Sequence, residues 1–350
     1  VALTTLDVPM WGVLPRGWSF LSGLPDGGMA VLAQETEQVV LLNPDLEPRT
    51  AVTIPGLRSA WSLAVSICAE AGLVAVSFAD GLRVFEVASG NLVHQLPHRT
   101  WPVLISPTWT SSGRLLWTVV PTDTPGVDEV VAIDPGGWTT LGRLTIPAPS
   151  TNQGSYRLLP SPVSDQVGVL GALADSDGFY LVWPKWDGNA VVSPAETLSG
   201  HQLTDVAPDG RGFVTVTDDW PSELAVFDLT TGQPTGRLDM DTATGTDEAE
   251  DVWDDVVYGP SSDHLIAATG ETRVLLLRRT PLRVVAQLRL EGYQHPVFDG
   301  TLVDTVDDAL PLLGQVQRWA DQRLVASHYD HRAEVWNSRI YDLSTIELPG

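Results

Sequence analysis

The feature that most constrains this chain is a recurring unit of short apolar strands divided by tight turns, seen most plainly between residues 63 and 96. A predicted strand at 63–67 is followed by the turn Ala69-Glu70-Ala71-Gly72 and a strand at 73–78. The turn Ala79-Asp80-Gly81 leads to a strand at 82–87, and Ala88-Ser89-Gly90 to a fourth at 91–96. Runs rich in Val, Leu, Ile and Phe, bounded by Gly, Pro, Asp and Ser, are the pattern of short β-strands. Four of them within about 40 residues match the period of one four-stranded module.

The same grammar recurs along the chain. First-turn signals stand at Pro25-Asp26-Gly27-Gly28, Ser111-Ser112-Gly113, Val163-Ser164-Asp165, Pro208-Asp209-Gly210, Ser261-Ser262-Asp263 and Trp319-Ala320-Asp321. The units begin near Arg16, Ala60, Trp101, Ser155, Gln202, Val252 and Gly314. Their approximate bounds are 16–59, 60–100, 101–154, 155–201, 202–251, 252–313 and 314–350. No long stretch carries the i, i+3, i+4, i+7 apolar pattern of a capped helix.

One four-stranded sheet cannot bury both of its faces alone. Stacked radially, each sheet covers its neighbour and only short edges stay open. Strands covered on both faces read as continuous apolar runs. Leu73-Val74-Ala75-Val76-Ser77-Phe78 reads so, whereas Thr215 and Thr217 leave some alternation in 213–217. The expected fold is therefore all-β: a seven-bladed β-propeller of four-stranded antiparallel blades, forming one domain over 1–350. The last blade runs short of a fourth strand at the C-terminus. The N-terminal run at 3–8 has no blade of its own within the closing segment 1–15, and is expected to supply that outer strand.

Composition narrows the functions. The formal net charge is −24, from 44 acidic and 20 basic residues. Such a field disfavours a phosphate backbone, so no nucleic-acid partner is expected, and a basic partner suits the surface. No apolar run is long enough to span a membrane. The N-terminus shows no signal-peptide pattern and Cys68 is the one cysteine, so a cytoplasmic location is expected. The chain opens on Val1, which leaves processing from a longer chain open. Scarce lysine (Lys185 alone) beside abundant Arg, Ala, Gly, Val and Trp gives a GC-rich, bacterial-like composition.

Third-strand ends carry a resemblance. Phe85-Glu86, Phe227-Asp228 and Tyr341-Asp342, with weaker copies at Leu42-Asn43 and Ile133-Asp134, stand where WD40 repeats place Trp-Asp. Gly200-His201 precedes the fifth unit as Gly-His does in those repeats. The chain thus resembles a divergent WD40-like β-propeller. The family's hydrogen-bonded tetrad would fall on His201, Thr217, Asp219 and a Trp, and Phe227 stands in the Trp position. The resemblance implies a platform for partner binding.

Thirteen tryptophans are many for 350 residues. Large aromatics mark binding centres, and they also serve as wedges between sheets. Trp101, Trp220 and Trp336 fall at predicted rim turns and unit starts, as do His201 and His331. These five are the candidate binding residues. His328-Tyr329-Asp330-His331 is the densest ligand-like cluster, with His328, Asp330 and His331 as weak metal candidates. The turn aspartates Asp80, Asp123, Asp175, Asp219 and Asp330 read better as turn-holding side chains than as a catalytic ring. The acid-rich stretch 239–255 reads as a solvated loop. No nucleophile elbow, P-loop, dinucleotide fingerprint or zincin motif is present, so no catalytic residue and no cofactor is assigned. The expected function is a non-enzymatic binding scaffold presenting an aromatic- and acid-rich rim to a protein or peptide. The alternatives are a small-molecule or carbohydrate binder, or a metal-assisted hydrolase or lactonase, using the central channel.

Overall fold

The computed structural model describes residues 3–57, 64–97, 104–148, 155–173, 178–193, 197–217, 222–244, 252–259, 261–270, 273–293, 313, 315–320, 322–330 and 335–347. The described residues form seven blades of four antiparallel strands, here called blades one to seven, two of which gain a parallel fifth strand. Packing divides the chain into two compact units, one of 21–206 with 229–232, the other of Val1–Phe20, Ala207–Asp228 and Gln233–Gly350.

Blade two, in the first unit, runs Val65–Cys68, Leu73–Phe78, Gly81–Glu86 and Leu92–Pro97. Gly72, at φ 64°, ends its first turn, where its carbonyl accepts from the Val87 amide. A left-handed residue costs glycine nothing and other residues much. Blade one contains Met29–Ala33, Gln38–Leu42 and Pro48–Thr53, preceded by Trp18–Gly23. Blade three is Thr108–Trp109, Leu116–Pro121, Val127–Asp134 and Thr139–Pro147. Blade four is Ser155–Pro160, Val167–Leu173, Gly178–Val182 and the two-residue outer strand Leu198–Ser199. Between its last two strands a ribbon, Lys185–Trp186 with Val191–Val192, folds out. Trp186 and Val191 from this ribbon pack into the apolar layer between blades three and four. Leu104–Ile105 adds to blade four as a fifth strand, parallel to Ser155–Tyr156.

In the second unit, blade five continues from Gln202–Val206 through Gly212–Val216, Glu223–Asp228 and Pro234–Asp239. Blade six is Trp253–Tyr258, His264–Thr269, Val274–Arg279 and Leu282–Leu290. Blade seven is Gln315–Ala320, Arg323–Asp330 and Val335–Asp342, with Met10–Val13 as its outer strand. An N-terminal strand thus completes the last blade, as expected, but it is Met10–Val13. The segment assigned that role from sequence goes elsewhere: Thr4–Val8 lies parallel to Ala286–Leu290 as a fifth strand of blade six. Val8 explains the choice, since it is 1% exposed in the apolar layer between blades six and seven.

Burial follows strand order. Met29–Ala33 and Gly212–Val216 are buried at every residue, whereas the outer strands Pro48–Thr53 and Leu92–Pro97 are mostly exposed. Thr215, expected to break the buried run, is itself wholly buried. Apolar layers seal blades one to two, two to three and three to four in the first unit. The second unit has matching layers between blades five and six and between six and seven.

The acid-rich stretch 239–255 is not the loop expected of it at its described ends. Asp239 closes an outer strand and holds the short helix Met240–Thr244 by accepting from the Thr242 amide at 2.7 Å. Asp255 lies within a strand and accepts from the Val316 amide of blade seven at 3.1 Å. Their charges answer backbone donors rather than solvent alone. Asp247, Glu248, Glu250 and Asp251 lie outside the described residues.

Candidate binding site

The described aromatic surface gathers on blade seven. Arg323–Asp330 and Val335–Asp342 pair in register, so Tyr329 stands opposite Trp336 and Asp330 opposite Val335. Facing positions on antiparallel strands bring side chains together. The Tyr329 and Trp336 rings meet at 5.5 Å with a 60° tilt, with Tyr329 38% exposed and Trp336 half-buried. The chain entering blade one braces this hairpin. The Gly17 amide donates to the Trp336 carbonyl at 3.2 Å, and Arg16 pairs with Asp330 at 3.4 Å.

A second aromatic group forms where two strands of the same blade bulge. The register of Met10–Val13 shifts around Trp11, and that of Gln315–Ala320 shifts around Trp319. Bulges re-aim side chains, and here the two indoles lie 5.8 Å apart. The Arg323 guanidinium lies 4.0 Å from the Trp11 ring and 4.6 Å from the Trp319 ring, a doubled cation–π contact. Asp342 approaches Arg323 at 4.0 Å. Trp319 is buried, while Trp11 is 39% exposed beside Met10 and Val13. Sequence reading missed Trp11, because nothing in the N-terminal run signals a bulge.

Of the expected binding residues, Trp336 lies in the exposed pair. His201 is half-buried in the first unit, at the start of Gln202–Val206 behind Gly200 at φ 77°. Trp101, Trp220 and His331 lie outside the described residues. Four other tryptophans, Trp109, Trp117, Trp183 and Trp253, are buried.

Of the metal candidates, His331 lies outside the described residues, and His328 and Asp330 have different partners. His328 turns toward Tyr293, ring edge to face at 5.7 Å, with its Nδ1 3.4 Å from the tyrosine hydroxyl. Burial pushes its imidazole below the ordinary histidine value; Arg339 adds to this and Asp330 opposes it. Asp330 is engaged by Arg16. No group of three or more His, Cys, Asp or Glu side chains stands ready for a metal ion among the described residues. The turn aspartates Asp80 and Asp330 pair with Arg83 and Arg16, while Asp175 and Asp219 lie outside the described residues.

The third-strand ends repeat as the resemblance implies. Leu42, Phe85, Ile133, Phe227 and Tyr341 are all buried. The polar residue after each sits at the following turn. Asp134 accepts from the Gly136 amide at 2.8 Å, Asp342 from Ser344 at 2.9 Å, and Asn43 from Glu47 at 2.8 Å. Phe227 fills its Trp position by stacking on Phe213 at 5.0 Å, nearly parallel. Thr217 accepts from the Glu223 amide at 3.0 Å, and Asp219 lies outside the described residues.

Seven blades of four antiparallel strands give the chain a β-propeller fold. Its fold is similar to that of the β-propeller domain of Cps50 (Swd1) from Myceliophteria thermophila, with a TM-score of 0.58 over 95% of this chain and 99% of that one, at 9% identity. A looser likeness, to hydrazine synthase of Kuenenia stuttgartiensis, has a TM-score of 0.48 over 78% of this chain and 76% of that one, at 15% identity. No protein-family model and no curated protein sequence matches the chain. Among the described residues, no helix is long and apolar enough to cross a membrane.

Proposed function

We propose that this chain is a single propeller domain that works as a non-enzymatic scaffold, docking a protein or peptide on blade seven. The observation that carries the reading is the Tyr329–Trp336 pair. Two large rings, held in strand register and braced by Arg16–Asp330, stand at a hairpin end where they reach solvent. Rigid aromatics give contact area at little entropic cost, and tryptophan and tyrosine dominate interface energetics. The negative charge of the chain favours a partner that is basic where it meets the rim. Trp336 belongs to this surface.

The test compares affinity capture by the wild type, a Tyr329→Ala/Trp336→Ala double variant and a Leu92→Ala/Val93→Ala control on the exposed outer strand of blade two. A protein retained stoichiometrically by wild type and control, and lost from the double variant, supports the reading. Equal retention by all three, or none by the wild type, contradicts it.

A further inference from the structure

The last residue of the third strand is a repeated polar position. Glu86, Asp228 and Asp342 each stand opposite the first residue of the second strand, facing Leu73, Gly212 and Arg323. In blades two and seven the amide of the next residue then donates across the pair, Val87 to Gly72 and Leu343 to Gln322. Blade six makes the same bond, Arg279 to Asp263, so Arg278 occupies the acid's place. The charge at this position is reversed in one blade.

The reversal is compounded by its neighbours. Arg278 faces His264 on one side and Arg283 on the other. Directly opposite side chains project from one face, about 4.5–5.5 Å apart at Cβ. Like charges so placed repel, and guanidinium cannot shed its proton to relieve this. A chain with 44 acidic residues has carboxylates in excess. Neighbouring arginines use them: Arg279 reaches Asp209 and Arg289 pairs with Asp7. Among the described residues, Arg278 and Arg283 have no ion pair and no side-chain hydrogen bond. His264 is half-buried beside them, its Nδ1 3.0 Å from Ser261 Oγ. Burial and Arg278 hold its imidazole below the ordinary value, against the pull of Asp263.

We propose that Arg278, Arg283 and His264 form an anion site on blade six that takes a phosphate group carried by a ligand. Planar guanidinium forks match phosphate oxygens bidentately. Two fixed positive charges balance a phosphate, which carries about −1.5 to −2 at neutral pH, whereas one carboxylate leaves an arginine unanswered. The strongly negative remainder of the chain repels an extended polyanion, so the ligand carries an isolated phosphate.

The probe is inorganic phosphate at constant ionic strength, read by the His264 ring signals in NMR and by the thermal midpoint. The wild type is expected to give a saturable His264 shift and a rising midpoint, with acetate giving neither. Arg278→Gln and Arg283→Gln are each expected to weaken the phosphate response roughly tenfold or more. In phosphate-free buffer both variants melt at or above the wild-type midpoint, because each removes a repulsion. A response no different from chloride, one kept by both variants, or saturation by acetate equal to that by phosphate overturns the site. So does a lower phosphate-free midpoint in both variants, which would make the arginines structural.

Discussion

At the residue scale, the buried polar contacts are few and specific. Tyr156 donates to Asp128 at 2.6 Å inside the layer between blades three and four, and Asp128 also accepts from the Thr122 amide at 3.1 Å. Tyr180 donates to the Pro147 carbonyl at 2.6 Å, its ring lying across Gly171. Burial drives both phenols far above the ordinary tyrosine range, so they stay protonated donors. A Cβ at Gly171 would come within 2.3 Å of the Tyr180 ring, which is buried and tethered by its hydroxyl to Pro147. Gly171→Ala is expected to cost about 1–3 kcal/mol as an overpacking change. Tyr156→Phe is expected to cost about 1–3 kcal/mol by stripping a buried carboxylate of a donor. Urea unfolding at neutral pH measures both. None of this was legible in sequence, because Asp128, Tyr156 and Tyr180 lie on separate strands and no spacing rule links them.

Histidine protonation belongs to the same scale. His94 stacks on Trp138 at 4.6 Å, and burial lowers its pKa, as it does for His264 and His328. Each is lowered below the unfolded value near 6.5, so between the two values the unfolded chain binds more protons. Stability is therefore full above pH 6.5 and falls as pH drops below it. Unfolding midpoints at pH 7.5 and 5.5 are expected to differ in that direction, and His94→Gln, His264→Gln and His328→Gln combined should shrink the difference. An unchanged pH dependence in the triple variant would contradict the assignment.

At the element scale, the strands most readable in sequence were the doubly covered ones. Leu73–Phe78 and Met29–Ala33 are continuous apolar runs because both faces are packed. Outer strands were harder to read: the fourth strand of blade four shrinks to Leu198–Ser199, with the ribbon inserted before it. Leu104–Ile105, as a parallel fifth strand, had no sequence signal, since two residues carry no periodicity. The expectation for residues 3–8 failed by one strand, because both N-terminal runs are short and β-prone and only tertiary packing selects between the edges they meet. Cross-strand ion pairs repeat between blades: Arg143 with Glu129 at 2.6 Å, and Arg237 with Glu223 at 2.5 Å, each joining third to outer strand. Both pairs are half exposed, so solvent screens them. Arg237→Gln is expected to change unfolding free energy by less than about 1 kcal/mol. A larger loss would mean that the outer strand depends on charge rather than on the layer beneath it.

At the scale of the whole molecule, seven blades were legible because the module repeats and its turn residues recur at fixed places. Glu86, Asp228 and Asp342 carry that repeat, and Arg278 departs from it. The proposed function is written less plainly, since no repeat marks Trp336, which stood out only through its neighbours in sequence. Joining residues 10–13 to a blade that ends near residue 342 makes the first and last parts of the chain one cooperative element. Val13 faces Arg339 directly across that junction. The most direct test is a Val13→Cys/Arg339→Cys double variant, oxidised at low protein concentration and mapped by peptide mass. A single intramolecular disulfide and a raised thermal midpoint are expected, since facing strand positions satisfy disulfide geometry and the bond closes a long loop. Cysteines that stay reduced, or that pair only between molecules, would place Met10–Val13 away from blade seven and contradict that pairing.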